Sequence, residues 1–456
     1  MEADAPLIVS ISGIRGLVDR SLTVEVARRY AAAFATVLPE GATVVLARDT
    51  RPSGQRLADQ AAEAFVEAGC RVIDLGLCTT PAAKLMVTEL GAAGAVIITA
   101  SHNPAPWNGL KLIRADGIFL NAEQGEQVEA VLASGRFRRQ PGGCREKLPR
   151  AEVNRRHLER LLAHVEVELI RRAELRAAVD PCNGTGALLI PELLEHLGVE
   201  AVLINAEPDG CFAHEPEPLP ANLVQLGEAV RSGRADVGFA VDPDADRVAL
   251  VDQTGQPVGE DYTLALAVRE VTARTPGPVV TTLSTSQTVT DAAVGNGCPV
   301  VLTPVGEVYV VEKMLEVDAV VGGEGNGGVI LTQIDPGRDA AVGVAVILEA
   351  MARAGKPLSE LAGSLPAYAI EKRKVTATPR QLDNAVAALQ RRYPRAYLHP
   401  VEDGAKLYLD GSLHCPWVHL RPSNTEPVVR IIAESADPVE AEHLCAETAV
   451  LLEEGG

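Results

Sequence analysis

Basic side chains are in the minority here: 42 Lys and Arg stand against 61 Asp and Glu, leaving a formal charge of -19. Nucleic-acid binding draws most of its affinity from a basic face, so this balance argues against such a surface. It leaves room for a small anionic substrate, which can enter through a local cluster of arginines. Lysine is scarcer still, 8 against 34 Arg, which makes each lysine in a polar motif informative. The eight cysteines form no Cys-x-x-Cys pair and are scattered from Cys70 to Cys445, so they read as buried thiols rather than metal or redox pairs. No run approaches the roughly 18 apolar residues of a membrane span; the best, Val342 to Ala350, is about half that length and reads as an amphipathic helix. The opening residues, MEADAPLIVSISGIRG, lack a basic stretch followed by an apolar one, so they do not read as a signal peptide. The expectation is a cytoplasmic protein with no membrane and no nucleic-acid partner.

What is present is length and repetition. At 456 residues and 47% hydrophobic, the chain can build about three or four domains. One unit recurs three times with little identity. The first copy runs from Thr43–Ala47 through a polar turn, Asp49-Thr50-Arg51-Pro52-Ser53-Gly54, into a helix ending at Gly69 and a strand from Arg71 to Leu75. The second runs from Ala177–Val179 through Asp180-Pro181-Cys182-Asn183-Gly184 and a helix to Gly198, then a strand from Ala201 to Ile204. The third has Val279–Leu283, Ser284-Thr285-Ser286, a helix to Gly297 and a strand from Val300 to Leu302. Strands separated by helix-length segments predict parallel β-α-β units.

Each copy continues to another apolar strand that ends in an unusual loop. These are Thr99-Ala100-Ser101-His102-Asn103-Pro104, Asp242-Pro243-Asp244-Ala245-Asp246-Arg247, and Gly322-Gly323-Glu324-Gly325-Asn326-Gly327-Gly328. Ligands in α/β sheets bind beyond the carboxyl ends of the strands, so equivalent loops can converge on one cleft. Gln140 to Val153 reads as a linker. The boundaries expected are 1–150, 151–253, 254–368 and 369–456. The last segment has alternating residues at 372–376, a helix from Pro379 to Tyr393, short strands near Ala405–Tyr408 and Trp417–Leu420, and a closing helix from Pro438 to Glu453. It reads as a smaller α+β domain.

Asp242, Asp244 and Asp246 put three carboxylates at alternate positions, which repel unless a hard cation such as magnesium or calcium sits among them. Arg247 follows where an EF-hand would need its glycine and distal glutamate, and a guanidinium suits phosphate oxygens. A lone Ser101 would read as a helix cap, but His102, Asn103 and Lys111 nearby favour a nucleophilic or phosphorylated serine; no Gly-x-Ser-x-Gly elbow supports an esterase. Arg421, Ser423, Asn424 and Thr425, with Arg430 beyond, combine a guanidinium with hydroxyl and backbone donors, which reads either as a phosphate cradle or as a plain turn. Glu324 and Asn326 suit sugar hydroxyls. Arg15, among glycines, is a weaker signal. His157, His196 and His443 lie in helical patterns and read as structural.

The four loops, with Arg421-Pro422-Ser423-Asn424-Thr425-Glu426-Pro427 as the last, together resemble the α-D-phosphohexomutase family in order and spacing along essentially the whole chain. The resemblance implies an α/β protein of three similar mixed α/β domains plus a smaller C-terminal α+β domain around a central cleft. It implies reversible phosphoryl transfer between the C6 and C1 oxygens of a hexose phosphate through a hexose 1,6-bisphosphate. Ser101 would carry the phosphoryl. Mg2+ would lie between that group and Asp242, Asp244 and Asp246, steadied by Arg247. Arg421, Ser423, Asn424 and Thr425 would grip the other phosphate, Glu324 and Asn326 the ring hydroxyls, with Lys111 and Arg15 near the transferring group. Many members end the sugar loop in Ser-Gly-His, whereas this chain has Asn326-Gly327-Gly328, leaving Lys111 or His102 as candidate acid and base. Phosphomannomutase/phosphoglucomutase activity is the first expectation, phosphoglucosamine mutase the second, and a magnesium-dependent sugar phosphatase a remote third. The arginines at 15, 247, 421 and 430 would make the cleft positive on an acidic protein. Sequence alone gives no oligomeric state.

Overall fold

A computed structural model describes residues 6–10, 13–401, 404–422 and 428–454. The threefold repeat is real in three dimensions. In the first unit Thr43–Arg48 lies between two parallel partners, Arg71–Leu77 and Gly94–Ile98. Arg176–Asp180 lies likewise between Glu200–Leu203 and Val237–Val241, and Val279–Thr282 between Val300–Thr303 and Val321–Glu324. Each trio then gains an antiparallel fourth strand that doubles back from its functional loop: Trp107–Arg114, Val248–Asp252 and Gly328–Ile330.

The sequence explains this order. Strands such as Val44 to Ala47 are apolar without alternation because helices cover both faces of the sheet, and all four side chains are buried. The helices Gly54–Glu67, Ile190–Leu197 and Gln287–Gly295 are each followed by a left-handed glycine, Gly69, Gly198 or Gly297, with φ of 84°, 68° and 71°. A Cβ is disfavoured there, and the glycine turns the chain into the next parallel strand.

Several expectations need correction. The segment taken for a linker supplies a strand, Cys144–Lys147, which joins the first sheet parallel to Arg71–Leu77. That sheet grows to seven strands, with Ile8–Ser10 and Gly13–Leu17 at its other edge. The helix Ala340–Ala354 is not amphipathic: Ala340 through Met351 are buried all round. It packs on one side against Tyr262–Arg274 of its own unit and on another against Val167–Arg172 of the second. Two of the cysteines, Cys144 and Cys211, are exposed, while the other six are buried.

The apolar cores cross the expected boundaries. One cluster joins Val179 and Phe239 of the second unit to Leu264 and Val344 of the third. Another joins Val45 and Ile97 of the first unit to Val310, Met314 and Ile330 of the third. Fully burying one such aliphatic side chain contributes about 1.5–3 kcal/mol, so these shared contacts bind the three units into one body.

The C-terminal unit is separate, with a five-stranded antiparallel sheet ordered Ala369–Thr376, Val428–Ser435, Trp417–Pro422, Ala405–Tyr408, Tyr397–His399. Helices Pro379–Arg392 and Pro438–Glu454 pack with it, and its main apolar cluster draws on residues from Val375 onward. Polar bonds fasten it to the third unit: Glu434 accepts from the Gln287 main-chain N–H at 2.9 Å, and Lys406 donates to Leu283 O at 2.7 Å. Among the described residues, no helix is long and apolar enough to cross a membrane.

Candidate functional site

Ser101 follows the strand Gly94–Ile98, fully buried and held at φ 50°. Such strain persists where surroundings over-determine it, and here the buried guanidinium of Arg51 does so. Its Nη1 donates to Pro104 O and Trp107 O, both at 2.8 Å, and its Nη2 to Ser101 O at 2.7 Å and Asn103 O at 2.6 Å. Asp49 accepts from Arg51 Nε at 3.0 Å and from Thr99 Oγ1 at 2.6 Å, while Thr99 Oγ1 accepts from Ser101 N at 2.9 Å. Asp49 and Arg51 were legible in the sequence as a polar turn and nothing more.

The loop after Val237–Val241 brings Asp242, Asp244 and Asp246 together, fully buried, with a carboxylate oxygen of each within 4.8 Å of the others. Each carboxylate has one oxygen pinned by the protein. Asp242 Oδ1 accepts from the Asp246 and Arg247 main-chain N–H groups, both at 3.1 Å. Asp244 Oδ2 accepts from Thr80 Oγ1 and Lys111 Nζ at 2.6 Å, and Asp246 Oδ2 from Lys111 Nζ at 3.0 Å and Arg338 Nη2 at 2.9 Å. Among the described residues, the other oxygens of Asp244 and Asp246 are buried without a hydrogen-bond partner, and Asp242 Oδ2 accepts from the Ser101 hydroxyl alone, at 3.0 Å. Three such oxygens beside one hydroxyl are a donor set that fits a hard divalent cation. Burial pushes the Asp242 carboxyl well above its usual range, and the charges of Asp246 and Asp244 add to this. Burial acts the same way on Asp246, but Arg338, Lys111 and Arg247 outweigh it and hold that carboxyl well below the usual range.

Cations ring this cluster. Burial opposes the charge on Lys111, yet Asp244 and Asp246 overcome it and hold the ammonium above its ordinary pKa. Arg247 lies with Nε 3.6 Å from Asp246 Oδ1, and that buried Nε makes no hydrogen bond among the described residues. Arg15 reaches the serine loop through Nη1 to Asn103 Oδ1 at 3.1 Å. His102 places Nδ1 3.4 Å from Ser101 Oγ; burial, then Arg247 and Arg15, push its pKa down to about 2. Its imidazole is therefore neutral at ordinary pH.

Glu324 and Asn326 line a cleft of about 360 Å³ between the third unit and the C-terminal sheet, together with Lys372, Lys374, Arg421 and Arg430. Strand register sets Lys374 opposite Arg430 and Arg430 opposite Arg421. Like charges directly across strands repel, so this row suits an anion. Lys372 and Lys374 were missed as site residues, although the scarcity of lysine was a usable signal. Asn326 Oδ1 is buried without a partner among the described residues. Ser423, Asn424 and Thr425 lie outside the described residues.

One buried arginine links this cleft to the aspartates. Arg338 donates to Glu324 Oε2 at 2.6 Å as well as to Asp246, and its Nε donates to Glu307 Oε2 at 2.9 Å. Glu307 in turn pairs with the buried Lys84 of the first unit. Nothing in the local sequence pattern singled out Arg338, Glu307 or Lys84.

Comparison with known proteins agrees with this arrangement along the whole chain. Models described as phosphoglucomutase/phosphomannomutase α/β/α domains I, II and III match residues 7–139, 155–255 and 259–368, and the model of the C-terminal domain matches 371–451. A phosphoglucomutase/phosphomannomutase of Thermococcus kodakarensis is 37% identical over 97% of both chains. A phosphoglucosamine/phosphogalactosamine mutase of Sulfurisphaera tokodaii is 30% identical, covering 97% of this chain and 98% of its own. The crystal structure of a phosphoglucomutase/phosphomannomutase family protein from Burkholderia thailandensis superposes with a TM-score of 0.84 at 26% identity over 98% of both chains. With its four units matched in order along the chain, and a relative 37% identical over 97% of both chains, the protein belongs to the phosphoglucomutase/phosphomannomutase family of α-D-phosphohexomutase enzymes.

Proposed function

We propose that the chain moves a phosphoryl group between the C6 and C1 oxygens of a hexose phosphate, with Ser101 as the phosphoryl carrier and glucose or mannose phosphates as first substrates. The single observation that carries this reading is Ser101 Oγ at 3.0 Å from Asp242 Oδ2, beside two further aspartates that each keep one buried oxygen without a hydrogen bond among the described residues. Asp242, Asp244 and Asp246 would hold Mg2+, which supplies charge neutralisation on phosphoryl oxygens. Arg247, whose buried Nε makes no hydrogen bond among the described residues, would donate one to a phosphoryl oxygen, and Lys111 would stay charged and stabilise charge that develops during transfer. His102 is neutral and a weak base. A loose phosphoryl-transfer transition state asks for positioning more than for a strong base, so such a residue is no obstacle.

In each half of the cycle an O–P bond forms to the attacking oxygen, of the sugar or of Ser101, as the O–P bond to the other oxygen breaks; the attacking hydroxyl gives up one proton and the departing oxygen takes one up, so the proton balance is zero. Between halves the bisphosphate would turn over within the cleft. The row Lys374, Arg430 and Arg421 would grip whichever phosphate is not reacting, and Glu324 and Asn326 would receive ring hydroxyls.

A second reading, glucosamine phosphate as substrate, is supported by the Sulfurisphaera tokodaii relative named for amino-sugar phosphates. Intact-mass analysis and a side-by-side assay test both. A species about 80 Da heavier, absent in Ser101→Ala, is expected of a phosphoserine enzyme. Isomerised glucose or mannose phosphate is the expected product; a large preference for glucosamine 1-phosphate favours the second reading, and inorganic phosphate without isomerised sugar defeats both.

A further inference from the structure

We propose that Arg338 is a positioning residue that sets Glu324 and Asp246 at the same time, and that Gly328 lacks a side chain because Arg338 fills that space. The inference rests on the reading of Glu324 as a sugar ligand and Asp246 as a metal ligand.

Arg338 sits in the turn between the strand Gly328–Ile330 and the helix Ala340–Ala354, 7% exposed. Its three nitrogens each serve a different carboxylate: Nε serves Glu307 at 2.9 Å, Nη1 serves Glu324 at 2.6 Å and Nη2 serves Asp246 at 2.9 Å. The guanidinium is rigid and planar, so the three carboxylates take their mutual placement from one fork. Glu307 is held from behind by Lys84, which also donates to Pro336 O at 3.0 Å, so the fork is anchored to the first unit. At one end, Arg338 and Lys111 occupy Asp246 Oδ2 and leave Oδ1 without a hydrogen-bond partner among the described residues. At the other, Arg338 occupies Glu324 Oε2, which leaves Oε1 as the oxygen to meet a sugar hydroxyl.

Gly328 lies directly opposite Glu324 in the hairpin. A Cβ at position 328 would stand 2.2 Å from Arg338 Cδ and 2.8 Å from Cγ. Those atoms are the middle of a side chain whose head is tied to three carboxylates, so they cannot swing aside as a free lysine tip would. The residue at 328 and the fork therefore exclude one another. The departure from histidine at this position thus has a steric counterpart ten residues on.

The test uses the full chain and two ligands measured separately: Mn2+ by calorimetry, and glucose 6-phosphate in the presence of chelator. Arg338→Lys keeps the charge and loses the fork. It should weaken both affinities by about 10-fold or more, as loss of partners behind metal ligands commonly does, and should raise KM for hexose 1-phosphate together with the Mg2+ half-saturation concentration. Gly328→Ala leaves every charge in place and should reproduce the double loss by displacing the fork, so it carries the test should Arg338→Lys not fold. In an Arg338→Ala background the same Gly328→Ala change should add nothing, because the clash is gone. Folded variants whose two affinities stay within twofold of the unaltered chain, or move at one end alone, overturn the inference and leave the mutase reading intact. Failure of the unaltered chain to bind either ligand overturns both.

Discussion

Arg51 Nη2 donates to the main-chain oxygen of Ser101 at 2.7 Å, so the residue proposed to carry the phosphoryl is held by its backbone from a neighbouring strand end. Arg51→Met would leave Asp49 buried without its cation and take one or more donors from the carbonyls of Ser101, Asn103, Pro104 and Trp107. A loss of about 3–5 kcal/mol is expected, as for other broken buried pairs. Urea unfolding measures it, and a change below about 1 kcal/mol would show that the loop is held by other means.

Asp242→Asn should behave in opposite ways with and without metal. Burial and two neighbouring carboxylates disfavour the charge on Asp242, so in chelator the neutral variant should melt above the unaltered protein. The unaltered protein should gain stability from Mg2+, about 2.7 kcal/mol at a hundred times Kd, and the variant little. Melting curves in chelator and in excess Mg2+ decide it; equal responses to Mg2+ would remove Asp242 from the ligand set.

Stability should fall at alkaline pH through His214. Its Nε2 lies 3.1 Å from Asp180 Oδ2, and bonds to Asp180 and then Cys182 raise its pKa to about 11. A raised histidine stabilises the fold fully below its unfolded pKa of about 6.5, and that contribution fades as pH climbs toward the folded value. Denaturation midpoints at neutral and alkaline pH should therefore diverge more in the unaltered protein than in His214→Gln; identical slopes would contradict the pairing.

Lys374→Gln should raise KM for hexose phosphates with little change in kcat, because a grip on the non-reacting phosphate acts on ground state and transition state alike. It should also make the free protein slightly more stable by relieving repulsion from Arg430. Steady-state kinetics at low and high salt check the first effect, and an unchanged KM would remove Lys374 from the cradle.

The repeated strand-turn-helix pattern and the loops that end the third strand of each copy were legible in the sequence because apolar runs, closing glycines and clustered acids are local signals. The strand Val428–Ser435 was not, since Arg430 and Glu434 interrupt its apolar run: Arg430 faces the cleft, and Glu434 accepts from the main chain at the start of the helix Gln287–Gly295. Ala340–Ala354 was misread because the side expected to be wet is covered by another unit. Arg51 and Arg338 stayed silent because the site groups they hold, the Ser101 carbonyl and the Asp246 carboxylate, lie 50 and 92 residues away, beyond any periodicity.

The cores that cross unit boundaries have a consequence for how the chain can be divided. A repeat suggests modules that could be expressed singly, yet cutting between the second and third units would lay bare Phe239 and Val344, and cutting off the first would strip Ile330 and Met314. The seam that leaves both sides with their own apolar interior falls near residue 369, ahead of the five-stranded sheet. A protease or a truncation should separate the molecule there, three parts to one, rather than into four.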